Sequence, residues 1–210
     1  MPAPFVDVHT HQTYYPITEV INICSLRLCQ PIPKNQLYTL GLHPWYQEDM
    51  TEKALDTLLT FLQKTRPWGI GEAGIDKLSA VPMNVQIHYL DRQIQLSEEL
   101  QLPLVIHCVR AWGELLRLRK GCRMPWIVHG FRGKATLAEQ LIHTGCHLSL
   151  GKYYNPEVLD LIHRKDRLFL ETDTNDLDIS QIYQQAASLL RVSLDNLRAD
   201  LFQRFCALSA

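Results

Sequence analysis

Short apolar segments rich in β-branched and aromatic residues recur along the chain and predict strands. From the third segment onward they alternate with amphipathic segments whose apolar residues fall three and four positions apart, a spacing typical of helices. Strands and helices in strict alternation imply a parallel sheet. The predicted strands are FVDVHT, VINICSL, LYTLGLH, WGIGEAGI, LVIHCV, WIVHGF, HLSLG and LFLET. The intervening helices are TEKALDTLLTFLQK, VQIHYLDRQIQLSEEL, AWGELLRLRK, KATLAEQLIH and PEVLDLIHRK.

Eight such units predict an α/β fold, a compact TIM-type (β/α)8 barrel that forms a single domain over residues 1–210. Barrels of this type typically have about 250 residues, and the shortage lies in the first two connections. Only residues 12–19 and 29–36 separate the first three predicted strands, whereas a parallel crossover usually needs about a dozen residues or more. The first two outer helices are therefore predicted to be reduced or missing. The apolar flank that this would expose favours a homodimer.

The charge balance gives the chain no general attraction for polyanions. There are 21 Lys and Arg against 22 Asp and Glu, a formal net charge of −1, so local groups would have to hold nucleic acid. The six cysteines form no Cys-x-x-Cys pair, which favours free thiols in a reducing compartment. The start, MPAPFVDVHT, does not resemble a signal peptide, and no apolar run reaches the ~18 residues of a membrane helix. We expect a cytoplasmic protein without a membrane partner.

Candidate metal ligands follow the predicted strands. In FVDVHTH the side chains of Asp7, His9 and His11 share one face of the strand, with the histidines nearer its carboxyl end. This spacing alone is a weak signal. Four other strands, however, end in groups that bind metals, and the active sites of TIM-type barrels form at this end of the strands. These groups are Glu72, His107, His129 and Asp173.

Each of these residues also has a purely structural interpretation. Glu72 could accept hydrogen bonds from turn amides, His107 or His129 could be buried histidines with ordinary partners, and Asp173 could cap the next helix. Gathered at one barrel mouth, however, such groups would each carry a desolvation cost of several kcal/mol. A divalent cation removes that conflict. The sequence therefore predicts a metal site, with ligands suited to zinc, manganese, iron or magnesium.

Further polar residues lie around these candidates. His43 is equally compatible with a role behind the metal ligands, with a substrate contact and with a place in the core. Asp7 and Glu171 are expected to orient a neighbouring histidine or carboxylate. Five basic residues follow strand ends and favour a phosphate-bearing ligand, although such loop charges are usually just solvated. They are Lys77, Arg110, Arg132, Lys134 and Lys152.

Several motifs together resemble the TatD family of metal-dependent deoxyribonucleases, within the wider amidohydrolase-like barrels. They occur in the family's order over nearly the whole chain, and six in sequence are highly specific. The matching segments are DVHTH, GLHP, GEAGID, the stretch from Gln86 and Gln93 to PLVIHCVRA, HGFRG and ETD. Departures lie in loops that shape the mouth rather than among the ligands: Leu90 replaces an aromatic residue, and GIDK and ETDTND differ from the family's usual forms.

The resemblance implies one or two divalent ions, of Mg, Zn or Mn, and hydrolysis of phosphodiesters by a metal-activated water. It implies that His9 and His11 bind one metal, which Asp173 completes, and that Glu72 bridges to a second. His107 and His129 would bind that second metal. Asp173 and Glu72 would be catalytic, with Asp173 orienting or deprotonating the water. The substrate contacts would come from His43, Arg110 and Arg132.

Three functions are compatible with this sequence. The first is a deoxyribonuclease or phosphodiesterase acting on DNA or another phosphodiester. The second is a small-molecule amidohydrolase or esterase, since the same metal site attacks carbonyl groups; Glu72, where many amidohydrolases use a lysine, counts against it. The third is a degenerate barrel retained as a binding module, which predicts missing ligands, and none is missing from the sequence.

Overall fold

The computed structural model describes residues 2–12, 19–34 and 36–208. Its strands occur where the apolar segments predict them. They are β1 (Phe5–Thr10), β2 (Val20–Leu26), β3 (Leu37–Leu40), β4 (Gly69–Asp76), β5 (Leu104–Val109), β6 (Trp126–Val128), β7 (Cys146–Leu150) and β8 (Leu168–Leu170). The described residues between β2 and β3, 27–34 and 36, contain turns but no helix, as the short connection predicts. The first short connection falls largely on residues 13–18, outside the described residues.

Helices follow the strands from β3 onward. They are α1 (Glu52–Thr65), α2 (Met83–Leu100), α3 (Trp112–Arg119), α4 (Ala135–His143), α5 (Pro156–Arg164), α6 (Ile179–Leu190) and α7 (Leu194–Leu208). Side-chain caps begin several of them: Thr51 accepts from the backbone N–H of Ala54, and Asn155 accepts from that of Glu157. None of the described helices is long and apolar enough to cross a membrane.

The eight strands form one sheet in the order of the chain, β1 through β8. The ladders of β1 with β2, β4 with β5 and β7 with β8 are parallel. A parallel bridge between Thr10 and Asp173 joins the chain just after β8 to the end of β1. This strand order, with helices between successive strands from β3 onward, confirms the predicted TIM-type (β/α)8 fold.

The chain groups into two compact units. The first unit comprises Met1–Cys24, Pro33–Leu37 and His129–Ala210, and the second comprises Ser25–Ile32 and Tyr38–Val128. The single domain expected from chain length, and the homodimer, both stay predictions.

Tyr183 of α6 fixes β1 within the first unit. Its buried hydroxyl donates to the carbonyl oxygen of Val6 at 3.0 Å and accepts from the backbone N–H of Val6 at 3.1 Å. The Phe5 ring packs edge-on against the Tyr183 ring, with centroids 5.0 Å apart. A strand whose backbone is held by a buried side chain gives its histidines a defined position.

A close approach of β4 and β5 organises the second unit. A Cβ atom added at Gly74 would collide with the carbonyl oxygen of His107, so only glycine allows the two strands this spacing. The register pairs Gly74 with His107. Glycine in the GEAGID segment therefore sets how closely the strands of Glu72 and His107 approach.

Four strands end earlier than the apolar pattern predicts, β7 by a single residue, and the other three end in the same way. Just past β3, β6 and β8, a backbone N–H donates to a side-chain oxygen. Leu42 donates to Gln93 at 2.8 Å, Gly130 to Glu171 at 2.7 Å and Thr172 to Asp7 at 3.0 Å. His43 and His129 lie in the loops beyond β3 and β6, and Asp173 keeps an isolated parallel bridge to Thr10 of β1.

Candidate metal centre

The first unit brings His9, His129 and Asp173 together, with one donor atom of each within 4.8 Å of the others. His9 Nε2 lies 3.7 Å from Asp173 Oδ1, and the rings of His9 and His129 are 4.1 Å apart. His11 adds a further imidazole, with its Nε2 3.6 Å from Asp173 Oδ1. His9 is fully buried, whereas the His11 side chain is 39% exposed, so this cluster opens toward solvent on the side of His11.

Backbone hydrogen bonds hold Asp173 beside β1. Its N–H donates to the carbonyl oxygen of His9 at 3.0 Å, and its own carbonyl accepts from the N–H of His11 at 3.1 Å. Asp173 adopts a left-handed conformation with φ 54°, which a non-glycine residue keeps only when its surroundings impose it. The position of this carboxylate is therefore set by the ladder to β1.

Asp7 of β1 supports the loop that contains Asp173. Its two carboxylate oxygens accept from the backbone N–H of Thr172 at 3.0 Å and from the Thr172 hydroxyl at 2.6 Å. Burial raises the pKa of Asp7 to about 7, although both hydrogen bonds from Thr172 act in the opposite direction. Asp7 thus holds the residue that precedes Asp173.

Glu171 supports His129. One of its oxygens accepts from the backbone N–H of Gly130 at 2.7 Å and lies 3.7 Å from His129 Nδ1. Burial raises the pKa of Glu171, but hydrogen bonding and the charge of His129 outweigh it, so the pKa lies below its ordinary value. A buried carboxylate behind a histidine is the usual means of fixing its ring orientation.

The second unit contains a cluster of His43, Glu72 and His107, all buried and with donor atoms within 4.8 Å of one another. Glu72 Oε1 lies 3.2 Å from His43 Nε2 and 3.3 Å from His107 Nδ1. Glu72 and His107 come from the neighbouring strands β4 and β5, and His43 follows β3. Adjacent parallel strands bring the three side chains together.

The hydrogen bonds of His43 indicate its tautomer. Its Nδ1 accepts from the backbone N–H of Trp45 at 3.1 Å, which leaves the proton of the neutral ring on Nε2. That Nε2–H then points at Glu72 Oε1. His43 is therefore placed to donate a hydrogen bond to the carboxylate.

Asp76 also lies beside this cluster, although the sequence analysis did not predict it. Its Oδ2 accepts from the indole N–H of Trp45 at 2.6 Å and lies 3.3 Å from His107 Nε2. The alternation of side chains along a strand could have identified Asp76, because Glu72 and Asp76 are four residues apart on β4 and share a face.

The ionisation of Asp76 is set by competing effects. Burial raises its pKa, but the N–H groups of Trp45 and Leu78 and the imidazole of His107 together lower it below its ordinary value. The anionic carboxylate therefore accepts from His107 Nε2–H and leaves Nδ1 of that ring with its lone pair.

The donor sets fit divalent cations. Imidazole nitrogens and carboxylate oxygens bind such ions at about 2.0–2.2 Å, so donors around one ion lie about 3–4 Å apart. The separations of 3.3 to 3.7 Å within the two clusters match that requirement. His9, His11 and Asp173 would hold an ion in the first unit, where His129 also lies within reach, and Glu72 and His107 would hold one in the second. The expectation that His129 joins His107 on the second metal stays a prediction. That all six ligands share one centre stays a prediction.

The basic residues expected to contact substrate differ in their surroundings. Arg110 is exposed directly after β5, and the Arg132 guanidinium lies 5.7 Å from the Tyr153 ring. Lys77 is paired with Glu114 at 3.1 Å, which offsets its charge. The substrate contacts predicted at His43, Arg110 and Arg132 stay predictions.

Known proteins are similar to this chain in both sequence and structure. The chain is 25% identical over 220 aligned positions to an uncharacterized metal-dependent hydrolase of Haemophilus influenzae, covering 83% of this chain and 82% of that protein. It is 26% identical to the 3'-5' ssDNA/RNA exonuclease TatD of Pantoea vagans, covering 70% of this chain and 61% of the relative. The crystal structure of the TatD homologue YjjV from Escherichia coli superposes with a TM-score of 0.82 at 22% identity, covering 97% of each chain.

The protein family described as "TatD related DNase" matches residues 7–197 of the chain, from Asp7 of β1 into α7. This span includes every residue of the two clusters. The chain therefore belongs to the TatD family of metal-dependent hydrolases.

Proposed function

We propose that this TatD-family hydrolase is a deoxyribonuclease or phosphodiesterase that cleaves DNA or another phosphodiester with a metal-activated water. The observation that carries the proposal is Asp173: its carboxylate lies beside His9 and His11 and is held there by backbone hydrogen bonds to β1. A fixed carboxylate beside an imidazole cluster is the arrangement needed to bind an ion and handle the proton of a water. The Pantoea vagans relative, named as an ssDNA/RNA exonuclease, supports the choice of substrate class.

The proposal assigns ligands by motif as well as by geometry. The ligands of the one or two ions, Mg, Zn or Mn, are His9, His11, Glu72, His107, His129 and Asp173. When bound, a divalent ion would neutralise charge on the scissile phosphate and lower the pKa of a water. The chain's own residues then orient the reactants.

Asp173 accepts the proton of the attacking water at a carboxylate oxygen. Its side chain is 26% exposed, enough for a water molecule to reach it, while its backbone bonds to β1 fix the position from which the carboxylate extends. In the second unit, His43 donates to Glu72 and so keeps that carboxylate oriented. Arg110 and Arg132 hold phosphate oxygens of the substrate.

The test combines metal analysis with activity on two substrate classes. Wild type is loaded with Mg, Mn or Zn and assayed on single-stranded DNA and bis(p-nitrophenyl) phosphate, with p-nitrophenyl acetate as a carbonyl substrate. Asp173→Asn should abolish phosphodiesterase activity while leaving the fold intact. Asp176→Asn is the matched control, because Asp176 is an exposed carboxylate in the same loop.

Activity on phosphodiesters that survives in the control and disappears in Asp173→Asn supports the proposal. Metal-loaded wild type that hydrolyses the acetate and no phosphodiester overturns it in favour of the amidohydrolase or esterase alternative. Equal activity of the two variants would contradict the role of Asp173.

A further inference from the structure

Trp45 is held in place by its indole N–H although most of its surface faces solvent. The residue is 57% exposed, yet Nε1 donates to the buried carboxylate of Asp76 at 2.6 Å. One edge of the indole packs against His43 and His107, with ring centroids 4.8 and 5.3 Å away. An exposed tryptophan usually samples several rotamers, whereas this one is fixed beside the cluster of His43, Glu72 and His107.

The loops on either side of Trp45 are also fixed. The Ser79 hydroxyl donates to the carbonyl oxygen of Pro44 at 2.7 Å and accepts from the backbone N–H of Val81 at 3.1 Å. The loop after β3 is thereby tied to the loop after β4. An aromatic surface that needs little reordering loses little entropy when a ligand binds to it.

A cleft of about 410 Å³ lies against the indole. Its lining residues are Trp45, Asp76, Leu78, Ser79, Ala80 and Val109. The Leu78 side chain is 64% exposed and offers an apolar surface in the same cleft. Both oxygens of Asp76 already accept N–H groups, from Trp45 and Leu78. The cleft therefore suits a flat, largely apolar group better than a cation.

We propose that Trp45 stacks on a nucleobase of single-stranded DNA, next to the phosphodiester that is cleaved. This inference rests on the proposed function and adds the determinant by which the enzyme recognises a base. Stacking on an aromatic ring tolerates any base, because every base presents a flat π-face. Arg110 directly follows Val109 at the edge of the cleft and supplies a positive charge for a neighbouring phosphate.

Two substitutions separate stacking from the hydrogen bond to Asp76. Trp45→Ala removes both the aromatic face and the indole N–H, whereas Trp45→Phe removes the N–H together with the five-membered ring but keeps an aromatic face. Leu189→Ala, which shortens an exposed apolar side chain on α6, is the surface control. Thermal unfolding of each variant shows that the chain remains folded.

Binding is measured first, without catalysis. The anisotropy of fluorescein-labelled oligothymidine is followed with protein in EDTA. Trp45→Ala should weaken binding about fivefold or more, while Trp45→Phe and Leu189→Ala stay near wild type. Equal losses in Trp45→Ala and Trp45→Phe, or no loss in either, would overturn the stacking role.

Cleavage of short substrates gives an independent readout. Metal-loaded wild type is compared on thymidylyl-thymidine and on its analogues that carry an abasic residue on the 5' or the 3' side. One abasic analogue should be cleaved much less efficiently, and Trp45→Ala should remove that difference. Cleavage of all three substrates at equal efficiency overturns the base site and leaves the phosphodiesterase intact. Base-dependent binding without cleavage of any phosphodiester supports the base site and overturns the proposed function.

Discussion

The imidazole Nε2 of His107 lies 3.3 Å from Oδ2 of Asp76. Because this carboxylate is buried and ionised, it accepts a hydrogen bond from Nε2–H and leaves Nδ1 of the ring facing Glu72, 3.3 Å away. The histidine is thus oriented from behind, as metal-binding histidines commonly are. Asp76 itself is fixed by Trp45 and by the backbone N–H of Leu78.

Substituting Asp76 should therefore weaken metal binding without removing a ligand. We expect Asp76→Asn to lower the affinity for Zn by about 10–100-fold, because the amide fixes the His107 tautomer less well. A competition titration against a chromophoric chelator measures this loss. Asp56→Asn on the exposed face of α1 is the control, and an affinity for Asp76→Asn equal to that of this control would contradict the assignment.

The hydroxyl of Thr172 should contribute to stability as well as to the position of Asp173. It donates to the buried Asp7 carboxylate at 2.6 Å. Thr172→Val leaves that oxygen without its donor, and we expect the free energy of unfolding to fall by about 1–3 kcal/mol. Urea unfolding provides the measurement, and Thr174→Val, at an exposed position two residues later, should change little. Identical unfolding curves for the two variants would refute this expectation.

Gly74 and Gly113 should respond in opposite ways to the same substitution. A Cβ at Gly74 collides with the His107 carbonyl, so Gly74→Ala forces β4 and β5 apart at a cost of about 1–3 kcal/mol or more. Gly113 in α3 has no heavy atom within 4 Å of an added Cβ, and Ala there favours the helix by up to about 1 kcal/mol. Thermal unfolding should show a lower Tm for the first variant and an unchanged or higher Tm for the second. A Gly74→Ala variant as stable as wild type would show that the strands can move apart freely.

Divalent ions should stabilise the folded chain. A ligand that binds only the native state adds about 2.7 kcal/mol to the free energy of unfolding at a concentration 100 times its Kd. We expect Mn or Zn to raise the Tm of wild type and of Asp176→Asn, EDTA to reverse the rise, and Asp173→Asn to show a smaller one. This measurement needs no substrate, and an equal rise in all three proteins would exclude Asp173 as a ligand.

Local patterns of the sequence determined much of the fold. β1 and β5 have the predicted bounds, Phe5–Thr10 and Leu104–Val109, because apolar β-branched residues favour extended backbone wherever they pack. The residue types available for a metal site were likewise evident, since histidines and carboxylates recur at strand ends. The order of strands and helices was enough to predict the TIM-type fold.

The tertiary structure decided what depends on partners distant in the sequence. Asp7, Gln93 and Glu171 end strands β8, β3 and β6 by accepting backbone N–H groups 41 to 165 residues away. Whether a carboxylate such as Asp76 holds a histidine, and whether Trp45 is buried or presented to a cleft, also depends on which loops meet. Periodicity specifies which face of an element a residue occupies, but only the packed chain brings a donor within 3 Å of its acceptor.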